Sequence, residues 1–462
     1  MRFPVRPRYL TCWLVASCCL AAVVHAADRP AWLVVGPWEA QIEASWSGMD
    51  SALRVVVPGL RVTLDLDQPP LLAGSSGGAT GSAPDAGATS APSIDLPPMV
   101  KSLRVDGGEF VVKRGGQTQV VNWHAEFSQV SAGVWQGIFA ATGEGIALTA
   151  SVTYEAERRT WRVSQLAAQL DLARWSALVL PGLLPENEAW TCAGSAHLDA
   201  AISWTPAGLD GTAEVSIHGG SASRADGTVS AVGIEAAVRL VSLARLASAP
   251  TQHIAVQALT AGKARLTDLA VDFTVIDRKR IAVQVAAQAF GGKLRVGSFE
   301  FDPAAPKVRL TVEADEVDAQ GLLALFPDAP QGRATLVGRI PLSYEDGRLG
   351  FGEGRLALKQ GTTARLRFHH PGLFTQAWSA WLPGRKLLGA VEEGREELLV
   401  NELNVALHPD GSAAGHSAEI RIMGVPADHP HQGPFTFDFN INAPLESFMN
   451  LGLKQNMQFG FQ

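Results

Sequence analysis

Cysteine is almost absent from the body of this chain. Cys12, Cys18 and Cys19 lie within the first 26 of its 462 residues, so only Cys192 remains beyond them and no internal disulfide can form there. A chain of this length has enough core to fold without one. Cys192 sits in Trp190-Thr191-Cys192-Ala193-Gly194 with no Cys-His signature beside it, and reads as a strand thiol rather than a nucleophile. Charge is also sparse, at 18% of residues, with 38 Lys+Arg against 45 Asp+Glu for a net of -7. Loss of Arg2, Arg6 and Arg8 with a cleaved leader would take the net charge from -7 to -10. That balance argues against a nucleic-acid partner. No uninterrupted apolar run approaches the roughly 20 residues of a membrane-spanning helix, which excludes a helical bundle in the bilayer. What is present is 47% hydrophobic residues, enough for a folded body.

The first 26 residues have the layout of a secretory signal. Three arginines without an acid precede the apolar run Leu10 to Val24, and Val24-His25-Ala26 places small residues where a signal peptidase cuts. An uncleaved inner-membrane anchor is the alternative reading of the same run. Val15-Ala16-Ser17-Cys18 resembles a lipobox, but the apolar run continues past Cys18 where a lipoprotein turns polar.

Residues 27–67 contain short alternating runs such as Val62-Thr63-Leu64-Asp65-Leu66, read as the first strands. Residues 68–98 are Gly, Ser, Ala, Thr and Pro without an apolar period, the composition of a flexible loop. Gly74-Ser75-Ser76-Gly77-Gly78 is not a phosphate loop, because no Gly-Lys-Ser/Thr follows. From residue 100 on, one signal dominates: apolar side chains at every second position over four to eight residues, interrupted by Gly, Pro, Asp or Asn. Each strand therefore carries one oily face and one wet or small-residue face.

Helix signals are few. Asp171 caps a turn bearing Trp175, Leu178 and Val179, and Asp318 caps one bearing Leu322, Leu325 and Phe326. Pro371 is expected to open a third helix with Phe374, Trp378 and Trp381 on one stripe before Pro383, and residues 444–453 offer a fourth. Because strands do not alternate with long helices, a parallel α/β sheet is not expected. The fold class expected is mainly β. Either several β-sandwiches form, or one long, curled, mostly antiparallel sheet makes an apolar groove with a few short helices as lids.

Catalytic signatures are missing. His429 and His431, near His416 and Asp410, form a feasible metal pair, but Pro426, Pro430 and Pro434 mark an irregular loop and no further ligand has motif spacing. His369 and His370 read as a solvated corner. Gly291-Gly292-Lys293 is followed by Leu294 rather than Ser/Thr, and is expected to be a hairpin turn. No Gly-x-Ser-x-Gly, His-Glu-x-x-His or Cys-x-x-Cys occurs. No metal and no other cofactor is expected, and the chain reads as non-enzymatic.

The run Gly332-Arg333-Ala334-Thr335-Leu336-Val337-Gly338-Arg339-Ile340-Pro341-Leu342, then Asp346-Gly347-Arg348-Leu349 and Gly352-Glu353-Gly354-Arg355-Leu356, resembles the C-terminal region of the YdbH family, whose domain carries a dicarboxylate-transport label. That family sits with the AsmA-like, bridge-type intermembrane lipid transporters of the Gram-negative envelope. Leu403 to Leu407, Ile420 to Gly424 and Phe435 to Phe448 resemble its last strands and terminal helix, so the likeness runs from about Val317 to the C-terminus. It implies a long β-groove that lets phospholipid acyl chains pass across the periplasm between inner and outer membranes. It also implies membrane association, and a small outer-membrane lipoprotein that adds strands at the C-terminal end. On this reading residues 99–245 form an N-terminal groove segment and residues 246–462 a C-terminal YdbH-like groove domain.

The groove lining is then read from strand phase. It comprises Ile254, Val256, Val271, Phe273, Val275, Val283, Val285 and Leu294, followed by Val308, Leu310 and Val312. The C-terminal strands add Leu366, Phe368, Leu403, Val405, Ile420, Ile422, Phe435, Phe437 and Phe439. Met457, Phe459 and Phe461 alternate along a final edge strand without the charge or proline that blunts an exposed edge, which suits β-augmentation by a partner chain. The rival is a structural or adhesive envelope β-sandwich whose oily faces pack only on each other. The two differ in whether the apolar strand face at Phe273, Leu310 and Phe437 is left uncovered.

Overall fold

A computed structural model describes residues 33–35, 41–47, 50–65, 100–114, 116–179, 190–262, 264–302, 307–323, 330–345, 348–372, 375–376, 381, 384–409 and 418–441. The leader, the segment 68–98, His416, Asp410, the fourth helix candidate and Met457, Phe459 and Phe461 lie outside the described residues. Within them the protein is mainly β, mostly antiparallel, with few and short helices. Two compact units divide the chain: one holds 1–225 with 235–252, the other 226–234 with 253–462.

The first unit begins with β1 (Leu33–Val35), β2 (Gln41–Ser47), β3 (Asp50–Pro58) and β4 (Arg61–Asp65). It continues through β5 (Val100–Arg114), β6 (Gln117–Ser131), β7 (Val134–Gly143), β8 (Ile146–Glu155) and β9 (Thr160–Asp171). Helix α1 (Leu172–Val179) precedes β10 (Trp190–Thr205), β11 (Gly208–Arg224), β12 (Val229–Ser242), which is shared between the units, and β13 (Ala247–Ser248). From β5 to β11 each strand pairs antiparallel with the next in sequence. By contrast, β3 and β4 run parallel to β5.

Strand alternation is plainest in β6, where Val121, Trp123, Ala125 and Phe127 are buried and Asn122, His124, Glu126 and Ser128 are exposed. The buried set joins an aromatic core in which Phe110 stacks on Trp123 at 5.1 Å and Tyr154 on Trp161 at 4.4 Å. Helix α1 lies on this core through Trp175 and Leu178. The expected cap is present, since Asp171 Oδ1 accepts the Ala173 N–H at 2.9 Å. At the other end Arg114 donates to the Leu178 carbonyl at 2.7 Å. Helix α1 thus covers part of the apolar face of the first unit.

The second unit contains β14 (Gln252–Ala261), β15 (Ala264–Asp277), β16 (Arg280–Ala289), β17 (Gly292–Phe301), β18 (Val308–Asp318) and α2 (Ala319–Leu323). Then follow β19 (Gln331–Arg333), β20 (Thr335–Glu345), β21 (Arg348–Phe351), β22 (Gly354–Leu358) and β23 (Ala364–Arg367). Helix α3 (Arg385–Glu392), β24 (Leu398–Leu407), β25 (Ala418–Pro426) and β26 (Phe435–Ile441) complete it. Its antiparallel ladder runs β15–β16–β17–β18–β20–β22–β24–β25–β26. The turn between β16 and β17 is Phe290-Gly291, with φ of 52° and 73°, the pair of left-handed residues that a tight hairpin requires.

Helix α2 is described over Ala319–Leu323, after Asp318 as expected, and Leu325 and Phe326 lie outside the described residues. One helix expectation needs correction. Where Pro371 was expected to start a helix, the described residues 371, 372, 375, 376 and 381 are turns, and the helix forms beyond Pro383 at Arg385–Glu392. Pro383-Gly384 reads as a stop, yet Gly384 adopts φ 86° and serves as the N-cap of a run rich in helix formers, with Leu388 and Val391 on its buried side.

Candidate functional site

Strand register decides which apolar residues share a face, and in the second unit it must be followed through bulges, of which four lie along this face. In β15 the partners shift between Thr267 and Ala270, and Asp268 there takes φ 49°. In β18 they shift between Ala314 and Val317, at Glu316 with φ 57°. In β17 Val296 pairs with Val285 while Phe299 pairs with Val283, so Gly297-Ser298 absorb one extra residue. In β24 the shift falls between Val400 and Glu402. Each bulge moves the apolar positions from even to odd numbering, or the reverse, and returns them to the same side of the sheet.

With the bulges included, Val271, Val285, Val296, Val312 and Ile340 form one transverse row across β15–β20. Phe273, Val283 and Phe299 form a second row, and Val275, Ile281 and Phe301 a third. Leu310 faces Leu342, which faces Phe351. Ile254 and Val256 belong to this side as well: His253 reaches Asp272 Oδ1 at 2.7 Å on the polar side, so its out-of-phase neighbours point the other way. The same face continues from Leu356 to Val405, Ile420 and Phe439.

Cover is uneven along that face. Val271, Phe273, Val275, Val283, Val285, Val308, Leu310 and Val312 are all half-buried, and none belongs to a buried cluster of the described residues. Lateral neighbours in a sheet shield a side chain only partly; full burial takes a second layer. Ile254 is half-buried as well, Val256 is buried, and Leu294 packs beside Ala314, Val317 and Leu356. The C-terminal candidates differ. Leu366, Phe368, Leu403, Ile422 and Phe437 are buried together with Leu388 and Val391 of α3, and Ile420, Phe435 and Phe439 pack against them. Val405 joins the smaller cluster around Leu356. Phe437 lies 6.2 Å from Phe368, ring to ring. Among the described residues the three discriminating positions therefore split: Phe273 and Leu310 are half-buried outside any buried cluster, and Phe437 is buried.

The opposite face is charged and wet. Arg421 donates to Asp438 at 2.8 Å, and Lys359 pairs with Glu316, which holds that carboxyl below its ordinary value. Buried carboxylates serve architecture. Glu392 accepts the Thr375 N–H at 3.0 Å together with the Thr375 hydroxyl, and Glu396 accepts the Asp428 N–H at 2.7 Å.

Among the described residues, those considered for chemistry do not converge. His429 sits 3.4 Å from Glu396, and both it and His431 are exposed. Among the described residues no group of three His, Cys, Asp or Glu is placed to hold a metal ion. Cys192 is half-buried opposite Ala222, and burial raises its thiol pKa. A cavity of about 690 Å³ on the first unit has exposed Asp199 and Glu214 opposite each other in register, with no nucleophile and base pair beside them. Sequence phase alone missed Val296, Phe299, Phe301, Ile340 and Leu342 as members of the open face.

A family model described as YdbH-like, intermembrane phospholipid transport protein YdbH, matches residues 133–362. Residues 133–362 belong to the YdbH-like family. The matched stretch runs from the β6–β7 turn to just past β22 and includes the whole open face of β15–β20. It starts well before Val317 and ends before Leu403–Leu407, Ile420–Gly424 and Phe435–Phe448, so the likeness is placed differently from the sequence resemblance. No curated protein and no solved structure matches the chain. No helix among the described residues is long and apolar enough to cross a membrane.

Proposed function

We propose that the open apolar face of β15–β20 receives the acyl chains of phospholipids in transit between the inner and outer membranes, and that the protein works without catalysis in the periplasm. The observation that carries this reading is the row Val271–Val285–Val296–Val312–Ile340, apolar across five paired strands and half-exposed at every one. Such a face gains about 25 cal/mol for each Å² of apolar area withdrawn from water, whatever the direction of the chain that covers it. Non-directional attraction lets an acyl chain slide, so transfer needs no reacting group. The YdbH-like family description supports phospholipid as the cargo. A β-sandwich would cover this face with a second layer, as α3 covers Leu366 and Phe437. The resemblance adds a small outer-membrane lipoprotein that would pair at the edge carrying Met457, Phe459 and Phe461.

A photocrosslinking amino acid placed in the envelope-resident protein tests the reading. Val271, Phe273 and Leu310 should capture phospholipid, and Asp272 and Arg309, one step out of phase, should not. Equal labelling of both sets refutes the lipid path.

A further inference from the structure

Two histidines meet on the polar face of β10 and β11. In that ladder Ser195 pairs with His218 and His197 with Ser216, so His197 and His218 are diagonal neighbours on one face. Their rings lie 5.8 Å apart, centre to centre, at an angle of 59°. His218 is exposed and His197 half-buried, so both can be reached from water. His197 makes no hydrogen bond among the described residues.

The second imidazole is already oriented. His218 Nδ1 lies 3.0 Å from Glu235 Oε2, and Glu235 Oε1 accepts the Gly219 N–H at 2.7 Å. An ionised carboxylate only accepts, so Nδ1 carries the proton and Nε2 keeps its lone pair for another partner. A carboxylate placed behind a histidine in this way fixes the tautomer and makes the free nitrogen a better metal ligand. The ladder is interrupted immediately beside His218, where Gly194 faces Gly219-Gly220, and Gly219 takes φ 58° as it donates to Glu235.

The surrounding charge favours a cation. Asp199, two residues from His197 on the same face, stands directly opposite Glu214, and both are exposed. Like charges so placed repel, and neither carboxylate has an ion-pair partner among the described residues. Arg239 lines the same cavity as these two acids and leaves them in excess.

We propose that His197 and His218 form a binding site for a divalent transition-metal ion of the zinc type. The two imidazoles supply nitrogen ligands, water completes the coordination, and Glu235 is the positioning residue behind His218. Imidazole suits zinc, copper and nickel, whereas calcium and magnesium take oxygen ligands. The bound ion ties β10 to β11 and offsets the Asp199–Glu214 repulsion. This site belongs to the first unit and does not depend on the acyl-chain reading, which concerns strands of the second.

The test is a calorimetric titration of the full chain, freed of metal by a chelator, with zinc chloride, alongside its melting temperature. Zinc should bind and raise the melting temperature, since an ion held only by the folded chain stabilises it. His197→Gln and His218→Gln should each remove that binding event. Glu235→Gln, which keeps both ligands, should weaken it about 10–100-fold. Without metal all three variants should melt as wild type, because these side chains lie at the surface; should one histidine variant fail to fold, the other decides. Calcium chloride should not compete. Absence of zinc binding, zinc binding retained in full by the histidine variants, or calcium binding as tight as zinc would each overturn the proposal. Unchanged zinc affinity in Glu235→Gln would overturn the positioning role.

Discussion

Val296 lies directly opposite Val312 in the β17–β18 ladder, and both side chains stay half-exposed on the same face of the sheet. Between Val312 and Phe437 the same face passes from open to closed, because α3 rests only on the C-terminal strands. Folding stability and lipid capture should therefore depend on different residues of one surface.

Val312→Asp places a charge on the open side, where water still reaches it. We expect the melting temperature to change little, since substitutions outside a packed core lie near ±0.5 kcal/mol. Phospholipid retained after purification, measured by mass spectrometry, should fall severalfold. A large loss of stability with lipid retained would place Val312 in a packed interior.

Leu398→Ala truncates a fully buried side chain beneath α3. Its cost should be about 2–5 kcal/mol by denaturant titration, as for other buried leucines. Val312→Ala, one methyl-bearing residue on the open face, should cost well under half as much.

Asp171→Ala removes the oxygen that caps the Ala173 N–H at the start of α1. Loss of such a cap costs about 1 kcal/mol. Because α1 covers the aromatic core through Trp175 and Leu178, the readout is faster hydrogen exchange of the buried Trp175 indole as well as a lower melting point.

Asp210 accepts hydrogen bonds from the Gly211 N–H, the Ala244 N–H and the Ser242 hydroxyl, which hold its carboxyl below the ordinary 3.8. A depressed folded-state value contributes stability that is complete above 3.8 and disappears as pH falls through the lower folded value. Asp210→Asn cannot titrate, so its stability should fall less steeply than wild type below pH 3.8. Parallel acid limbs for the two proteins would contradict the linkage.

Much of this architecture is legible in the alternation of residues. Val271/Phe273/Val275 and Ile281/Val283/Val285 declare both strand and face without help. What hides is the continuation of a face across a bulge. Leu294 and Val296 are even and Phe299 and Phe301 are odd, so a strict period of two puts them on opposite sides, and only the paired register at Gly297-Ser298 restores them to one. Cover is hidden for another reason: Leu310 and Phe437 look alike in a strand pattern, and which of them is roofed depends on where α3 docks, a tertiary fact. Helix α3 itself escapes notice because Pro383-Gly384, normally a terminator, here introduces it.

Connectivity carries a consequence for how the protein comes to exist. Strands β15, β16 and β17 each pair with the strand that follows, and the β16–β17 connection is only two residues, so closing each hairpin costs little chain entropy. The parallel pairing of β5 with β3 and β4 cannot be reached that way and must wait for a long connection to cross over. The stretch β15–β18 of the second unit can thus grow one hairpin at a time, in the order in which the chain is synthesised. At every stage of that growth it presents a half-covered apolar flank, the kind of surface that exposes a growing chain to aggregation.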